Sequence, residues 1–251
     1  MGAYNSGPHL AAAIDSILAQ SFRDFEFLII NDGSTDGTPA ILRAYEKRDP
    51  RIRVIHQPNA GLIAVRNQSL ELARAPLLCA MDHDDWAYPD RLARQLAFLQ
   101  AHPDVAVVGG WFEVIDEFDR SIRLLQLPTD HHVLDELHLA GTTAINHPTA
   151  MFRVAIARRA GGYDPATELS EDLDLWLRIA EIARIANLPH PVLRYRDHDR
   201  SASSRQRHRQ LAAMRTACEK AWRRRALPPR PVIDRHWRPA PDRRSRRDYT
   251  V

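Results

Sequence analysis

Two short, largely apolar runs, Phe25–Ile30 and Pro76–Met81, each end abruptly in a cluster of turn-forming and acidic residues. The first gives way to Asn31-Asp32-Gly33-Ser34-Thr35-Asp36-Gly37, the second to Asp82-His83-Asp84-Asp85. Runs of this length and composition suit buried strands. Around them lie helix signals. Leu10, Ala13, Ile14, Ile17 and Leu18 follow the i, i+3, i+4, i+7, i+8 spacing of an amphipathic helix. Thr38 before Pro39 reads as an N-cap and first helical position of a helix running to Lys47. A strand over Ile52–Ile55, helices over Leu62–Ala73 and Pro89–Ala101, and a strand over Val105–Val114 continue the alternation. Strands that alternate with helices predict an α/β fold with a mainly parallel central sheet covered by helices on both faces.

Beyond residue 115 the pattern is less regular. Asp116–Arg123 reads as a turn or hairpin, and Thr149–Phe152 and Val192–Arg196 as strands. Asp172–Ala183 reads as a helix, with Leu173, Trp176, Leu177 and Ala180 on one face. Charge divides the chain. Residues 204–251 hold fifteen Lys/Arg against four Asp/Glu, a charge of +11, while residues 1–203 carry −8. A helix over Gln206–Arg225 and then a Pro/Arg segment, expected to be mobile, make up this basic end. The acidic body and the lack of interleaved aromatics argue against a specific nucleic-acid partner. A basic end can meet anionic lipid instead. No apolar run is long enough to span a membrane. The start lacks the basic and apolar regions of a secretory leader, and Cys79 and Cys218 are expected as reduced thiols. The expected location is cytoplasmic, with peripheral contact at the inner membrane face through the basic end.

The acidic cluster Asp82-His83-Asp84-Asp85 follows a strand directly, and in open α/β sheets ligands gather at the carboxyl ends of strands. Neighbouring carboxylates repel unless a cation lies between them, and hard oxygen donors suit Mg²⁺ or Mn²⁺ shared with substrate phosphates. An acidic turn leading into the helix at Pro89 explains the same residues. Asp32, also at a strand end, can accept from a nucleobase edge or ribose, or simply close an Asx turn. Ser170 fits an N-cap, and Glu171 and Asp172 complement a helix dipole, or Asp172 is a general base facing a cleft. Arg66, beside Asn67, can hold a phosphate or ring edge, or lie exposed on its helix. Arg196 and His198 can reach a metal or a diphosphate, though a lone His is more often structural.

Taken in order, these motifs resemble a family 2 glycosyltransferase with the GT-A fold, a Rossmann-like nucleotide-diphospho-sugar transferase architecture, over residues 1–203. The resemblance is carried by Tyr4-Asn5, Ser16–Phe22, Asn31–Thr38, Asn59-Ala60-Gly61 with Arg66-Asn67, Asp82–Asp85, Ser170-Glu171-Asp172 with Trp176, and Arg196-Asp197-His198 with Ser201 and Ser203. It implies a nucleotide-binding half over about 1–110 and an acceptor-side half over 111–203, followed by the basic tail at 204–251. It also implies that Tyr4, Asp32, Arg66 and Asp82 bind nucleotide, that Asp84 and His198 hold Mn²⁺ or Mg²⁺, and that Asp172 is the catalytic base. Asn5, Asp85 and Glu171 would support them. The implied reaction moves a sugar from a nucleoside-diphosphate sugar, by default a UDP-sugar, to a glycan or lipid-linked acceptor hydroxyl with inversion. Two departures stand out. Family members open with a longer apolar strand, of which Met1-Gly2-Ala3 would be only the end, so the first strand is expected to be largely missing. Asn31 stands where an acid is common. An impaired homologue that only binds nucleotide, or a nucleotidyltransferase, are the alternatives. The latter would normally carry a Gly-rich basic phosphate loop near its start, and none is found.

Overall fold

A computed structural model of the chain describes residues 1–197 and 207–232. The N-terminal part builds a parallel sheet in the order β1-β2-β3, from β1 (Gly2–Ala3), β2 (Phe27–Asp32) and β3 (Ile52–Gln57). β2 and β3 stay in register from Phe27 opposite Ile52 to Asp32 opposite Gln57. Parallel strands need long crossovers, and α1 (Leu10–Leu18) and α2 (Thr38–Arg48) supply them. Leu10, Ala13, Ile14, Ile17 and Leu18 of α1 are all buried, as their spacing predicts. α3 (Leu62–Leu72) then leads out of β3.

The second sheet is mixed. Its order is β4 (Leu77–Cys79), β8 (Met151–Arg153), β6 (Val105–Ile115), β9 (Arg184–Arg196) and β5 (Trp86–Ala87), and β7 (Ser121–Leu125) pairs with the far half of β6. Only β6 and β9 run parallel in it; the other pairs are antiparallel. α4 (Arg91–Ala101), α5 (His131–Leu139), α6 (Val154–Arg159) and α7 (Glu171–Ala180) surround this sheet. The expected α/β architecture holds, with its parallel character concentrated in the first sheet. Among the described residues the two sheets do not join: β1 pairs with Ile30 and Asn31 of β2, and β4 pairs with β8. A cavity of about 1950 Å³ runs along this division, lined by Phe27 and Leu28 on one side and Leu77 and Cys79 on the other.

Local details depart from the sequence reading. β9 extends back to Arg184 through Pro189 and Pro191, where the ladder to β6 shifts register. Prolines lack a ladder donor and sit at such irregularities. Thr38 is not a cap but the first residue of α2, and its hydroxyl accepts from Ser6 N at 3.0 Å. Ser170 stands at the N-cap position of α7 without capping it, because its hydroxyl turns back to Thr167 O.

The basic end contributes a further helix, α8 (Arg207–Arg224). Ala217, Cys218, Ala221 and Trp222 pack against Leu139, Leu173 and Leu177, and Trp222 Nε1 donates to Leu139 O at 3.1 Å. Its cations meet the acidic body: Lys220 pairs with Asp164, Arg224 with Glu181, and Arg225 with both Glu181 and Asp135. The Pro/Arg continuation, expected to be mobile, places Leu227 and Val232 against the same cluster. Apolar spacing, not net charge, therefore decides the fate of residues 207–232. Truncating Trp222 to Ala should cost about 3–5 kcal/mol in urea unfolding, the usual loss for a buried aromatic. An unchanged unfolding midpoint would show that α8 lies outside the cooperative core.

Candidate active site

The cavity collects side chains from elements far apart in the chain. Tyr4 and Asn5 come from the end of β1, Arg66 from α3, Asp82 and Asp84 from the loop after β4, and Glu171 and Asp172 from the start of α7. These are the residues that the sequence singled out, and the fold brings them to one wall-to-wall space. Two others stand behind the walls. Asp32 is 4% exposed, and its Oδ1 accepts from Gln57 Nε2 at 2.8 Å and Ala60 N at 2.9 Å, while Oδ2 accepts from Gly61 N at 2.9 Å. It therefore fastens the Asn59–Gly61 loop to the end of β2. Gly33 beside it has φ +76°, and a Cβ there would come within 2.6 Å of Asn59 N, so only glycine permits this approach. Asp85 is buried under the acidic loop, with Oδ1 accepting from Arg196 N at 2.9 Å. His198, expected as a metal ligand, lies outside the described residues.

Tyr4 is half exposed at the cavity mouth. Asn5, at φ +46°, joins β1 to the Asn31–Gly37 turn: its Oδ1 accepts from Thr35 N at 2.9 Å and its N–H donates to Ser34 Oγ at 3.0 Å. Arg66 is not exposed on its helix but lines the cavity, with its side chain 13% exposed. Its Nη1 donates to Glu171 Oε1 in a buried ion pair, and its guanidinium lies 5.7 Å from the centroid of the Tyr163 ring. The other Glu171 oxygen, Oε2, is buried without a hydrogen-bond partner.

Burial and mutual repulsion shape the acids. Asp172 is pushed up to about 6, first by burial and then by the neighbouring Glu171 carboxylate. Asp82 is raised by burial, with Arg66 opposing and Asp84 reinforcing the shift. Asp85 is raised well above the carboxylate range by burial, then by Asp84 and Asp82. These shifts describe a site that is short of positive charge. Asp85 Oδ2 and His83 Nδ1 are also buried without partners. Among the described residues no three His, Cys or acidic side chains converge on one metal position. The donor set fits a hard divalent cation held by one or two carboxylates, with the remaining positions left to phosphate oxygens and water.

Sequence reasoning missed the residues that frame Asp172. His147 Nε2 lies 2.8 Å from Tyr163 Oη, and both side chains are buried at the cavity wall. Asn67 clamps the Tyr163 backbone through two hydrogen bonds of 2.8 Å. Asn67 stood next to Arg66 in a quoted motif, but its partner is 96 residues away, and no local pattern points there. Arg196, a candidate for diphosphate contact, instead directs its guanidinium to Asp84 O, Asp116 O and Asp119 Oδ1.

An α/β scaffold with a carboxylate loop at a strand end, facing a second acid across a deep cavity, is the architecture of nucleotide-sugar transferases. Residues 1–160 match the family described as Glycosyl transferase family 2. The chain is 37% identical over 186 residues to EpsE of Bacillus subtilis, named as a glycosyltransferase, covering 72% of this chain and 65% of that one. It is 30% identical over 205 residues to the O-antigen biosynthesis glycosyltransferase WbnJ of Escherichia coli, covering 80% and 79% of the two. The mannosyltransferase PcManGT of Pyrobaculum calidifontis, solved with GDP-Man and Mn²⁺, shares the fold at a TM-score of 0.68 and 21% identity over 88% of this chain and 62% of that one. The chain thus spans about two thirds of the length of EpsE and PcManGT. It belongs to glycosyl transferase family 2 and has the GT-A fold.

The raised Asp172 has a consequence for stability. Its carboxyl binds a proton more readily in the folded chain, at about 6, than at its ordinary value of 3.8. The associated stability is full below the lower value and is lost as pH rises through the higher one. Asp172→Asn, which never ionises, should raise the melting temperature at pH 8 by roughly 2–4 °C per kcal/mol relieved. Near pH 4 the variant and parent should melt nearly together. Calorimetry at both pH values decides; equal differences at the two would refute the assigned shift.

Proposed function

We propose that the protein transfers a sugar from a nucleoside-diphosphate sugar to an acceptor hydroxyl, with inversion, and with Mn²⁺ or Mg²⁺ bound at Asp84. The observation that supports this reading is the convergence of the Asp82–Asp85 loop and Asp172 on one cavity. Tyr4, at the mouth, offers a ring for the base, and Asp82 can accept from the ribose. Asp32 acts from behind, by holding the Asn59–Gly61 loop that borders the base site. A divalent cation at Asp84 would offset charge on the leaving diphosphate as a Lewis acid. Arg66 supplies fixed positive charge nearby, set between Glu171 and the acidic loop.

Asp172 takes the acceptor proton. A carboxylate at the ordinary value is a weak base, and raising it to about 6 strengthens it while leaving it ionised at neutral pH. Its orientation is held by Leu173 N, which donates to Oδ1 at 2.8 Å. Deprotonation on the side of the cavity opposite the diphosphate favours in-line displacement, the origin of inversion. The acceptor wall is formed by Asn146, His147, Tyr163 and Leu169, together with Phe118 and Ile122 of the β6–β7 turn region. Its mixed polar and apolar character suits a glycan or lipid-linked acceptor. No helix among the described residues is long and apolar enough to cross a membrane. The cations of α8 are largely paired within the protein, so contact with anionic lipid falls to the Arg-rich residues after 232.

A thermal-shift screen of nucleoside diphosphates with and without Mn²⁺ tests donor and cation together. Asp84→Ala should abolish the Mn²⁺-dependent shift, and a metal response equal to the parent's would remove the assignment. Asp172→Asn should keep the shift and lower turnover by roughly 10²–10⁴-fold. Parent-level turnover in that variant would reduce Asp172 to a helix-terminal acid.

A further inference from the structure

Arg196 closes β9 and is 3% exposed. Each of its nitrogens has a partner inside the protein. The backbone N–H donates to Asp85 Oδ1 at 2.9 Å, Nε to Asp84 O at 2.9 Å, Nη1 to Asp116 O at 3.0 Å, and Nη2 to Asp119 Oδ1 at 2.6 Å. The first two bonds hold the acidic loop. The last two hold the turn between β6 and β7, where Asp116, Glu117 and Phe118 line the facing wall of the cavity.

We infer that Arg196 is a positioning residue that presets the Asp82–Asp85 loop for its divalent cation and fixes that loop against the β6–β7 turn. The inference rests on the reading of this loop as the cation site.

The physical case starts from repulsion. Three carboxylates in four residues push one another apart, and this loop has no regular hydrogen-bonded ladder between Cys79 and Trp86 to resist them. A guanidinium carries several N–H donors in a fixed planar fork, so it can hold more than one acceptor at once. By accepting from Nε, the Asp84 carbonyl fixes its peptide plane, and with it the direction in which the Asp84 side chain departs. By accepting from Arg196 N, Asp85 is drawn under the loop and kept from competing with Asp84 for the cavity face. Partners that orient ligands in this way commonly set metal affinity as strongly as the ligands themselves. The planar fork reaches the loop and the turn at once, which a lysine ammonium, a single point of charge, cannot reproduce.

The test measures Mn²⁺ affinity directly, from the electron paramagnetic resonance of free Mn²⁺ in the presence of saturating UDP or GDP. Arg196→Lys, measured at a temperature where the variant stays folded, should weaken Mn²⁺ binding by about 10-fold or more. Arg194→Lys serves as the control. Arg194 also lies on β9 and bonds Asp119 O and Glu113, but not the acidic loop, and its variant should bind Mn²⁺ as the parent does. If Arg196→Lys does not fold, Asp119→Asn decides. It removes the charge from the exposed partner of Nη2 while leaving Arg196 in place, and it should weaken Mn²⁺ binding by a smaller factor. Parent-like affinity in Arg196→Lys, or in Asp119→Asn, or equal weakening in Arg194→Lys, overturns the inference. Failure of the unaltered protein to bind Mn²⁺ would sink the cation reading and this inference together, whereas parent-like affinity in the variants sinks this inference alone.

Discussion

The carboxylates of Asp82, Asp84, Glu171 and Asp172 line one cavity, with Asp85 buried behind its wall and two largely buried arginines, Arg66 and Arg196, beside them. Packing so much like charge away from water is costly unless each group is paired or shares a proton. The fold meets this constraint by delivering one arginine from each side. Arg66 arrives on α3 to pair with Glu171, and Arg196 arrives on β9, where its backbone N–H binds Asp85, its Nε binds the Asp84 carbonyl and its charge pairs with Asp119. Much of the architecture serves these two deliveries. The parallel β6–β9 ladder carries Arg196 to the level of Asp85, and the clamp of Asn67 on Tyr163 fixes the segment that leads into α7. Burial keeps the carboxyls of Asp82 and Asp85 raised despite these arginines.

The same arrangement sets stability against function. Held away from water, the Asp172 carboxylate is more basic than an exposed one, and its ionised form weighs on the folded state. The core has to offset that. It does so with a layer of fully buried side chains, among them Trp176, Phe152, Ile179 and Ile185, packed together around α7. Docking of α8 over Leu173 and Leu177 covers the outer side of that helix. The helix that bears the acid is thus buried on both flanks, and only its N-terminal turn opens to the cavity.

What could be read from the sequence follows from range. Helices α1, α3 and α4 and strands β2, β4 and β6 emerge within a residue or two of their limits, because each carries its own apolar period, and α7 starts one residue earlier and ends three residues sooner than its pattern suggests. The acidic loop, Asp172 and Arg66 were legible as chemistry, because turn formers and acids closed their strands or opened their helix. α5 went unread although Asp130 caps it, accepting from His132 N and Val133 N, because its histidines and acids blur the apolar face. The first half of β9 went unread because Pro189 and Pro191 speak against a strand. Partners separated by more than a hundred residues, such as Arg66 with Glu171 and Arg196 with Asp85, leave no trace in either local segment. The charge of residues 207–232 was legible, but its destination was not, since the acids it meets lie scattered over α5, α7 and the loop before it.

One feature of the central ladder bears on how freely this chain can change. Gly109 and Gly110 sit in the middle of β6, far from any reacting group. A Cβ at Gly109 would fall 2.2 Å from Asn187 Oδ1, and one at Gly110 would fall 2.7 Å from a Val192 methyl. Asn187 in turn donates to Pro128 O and Ala144 O, each at 2.9 Å, and so pins two connecting segments to β9. A methyl group at Gly109 would have to displace the Asn187 amide, on the same strand that carries Arg196 nine residues further on. The mutational freedom of the cleft is therefore limited from a distance, by a place where the chain tolerates hydrogen and nothing larger.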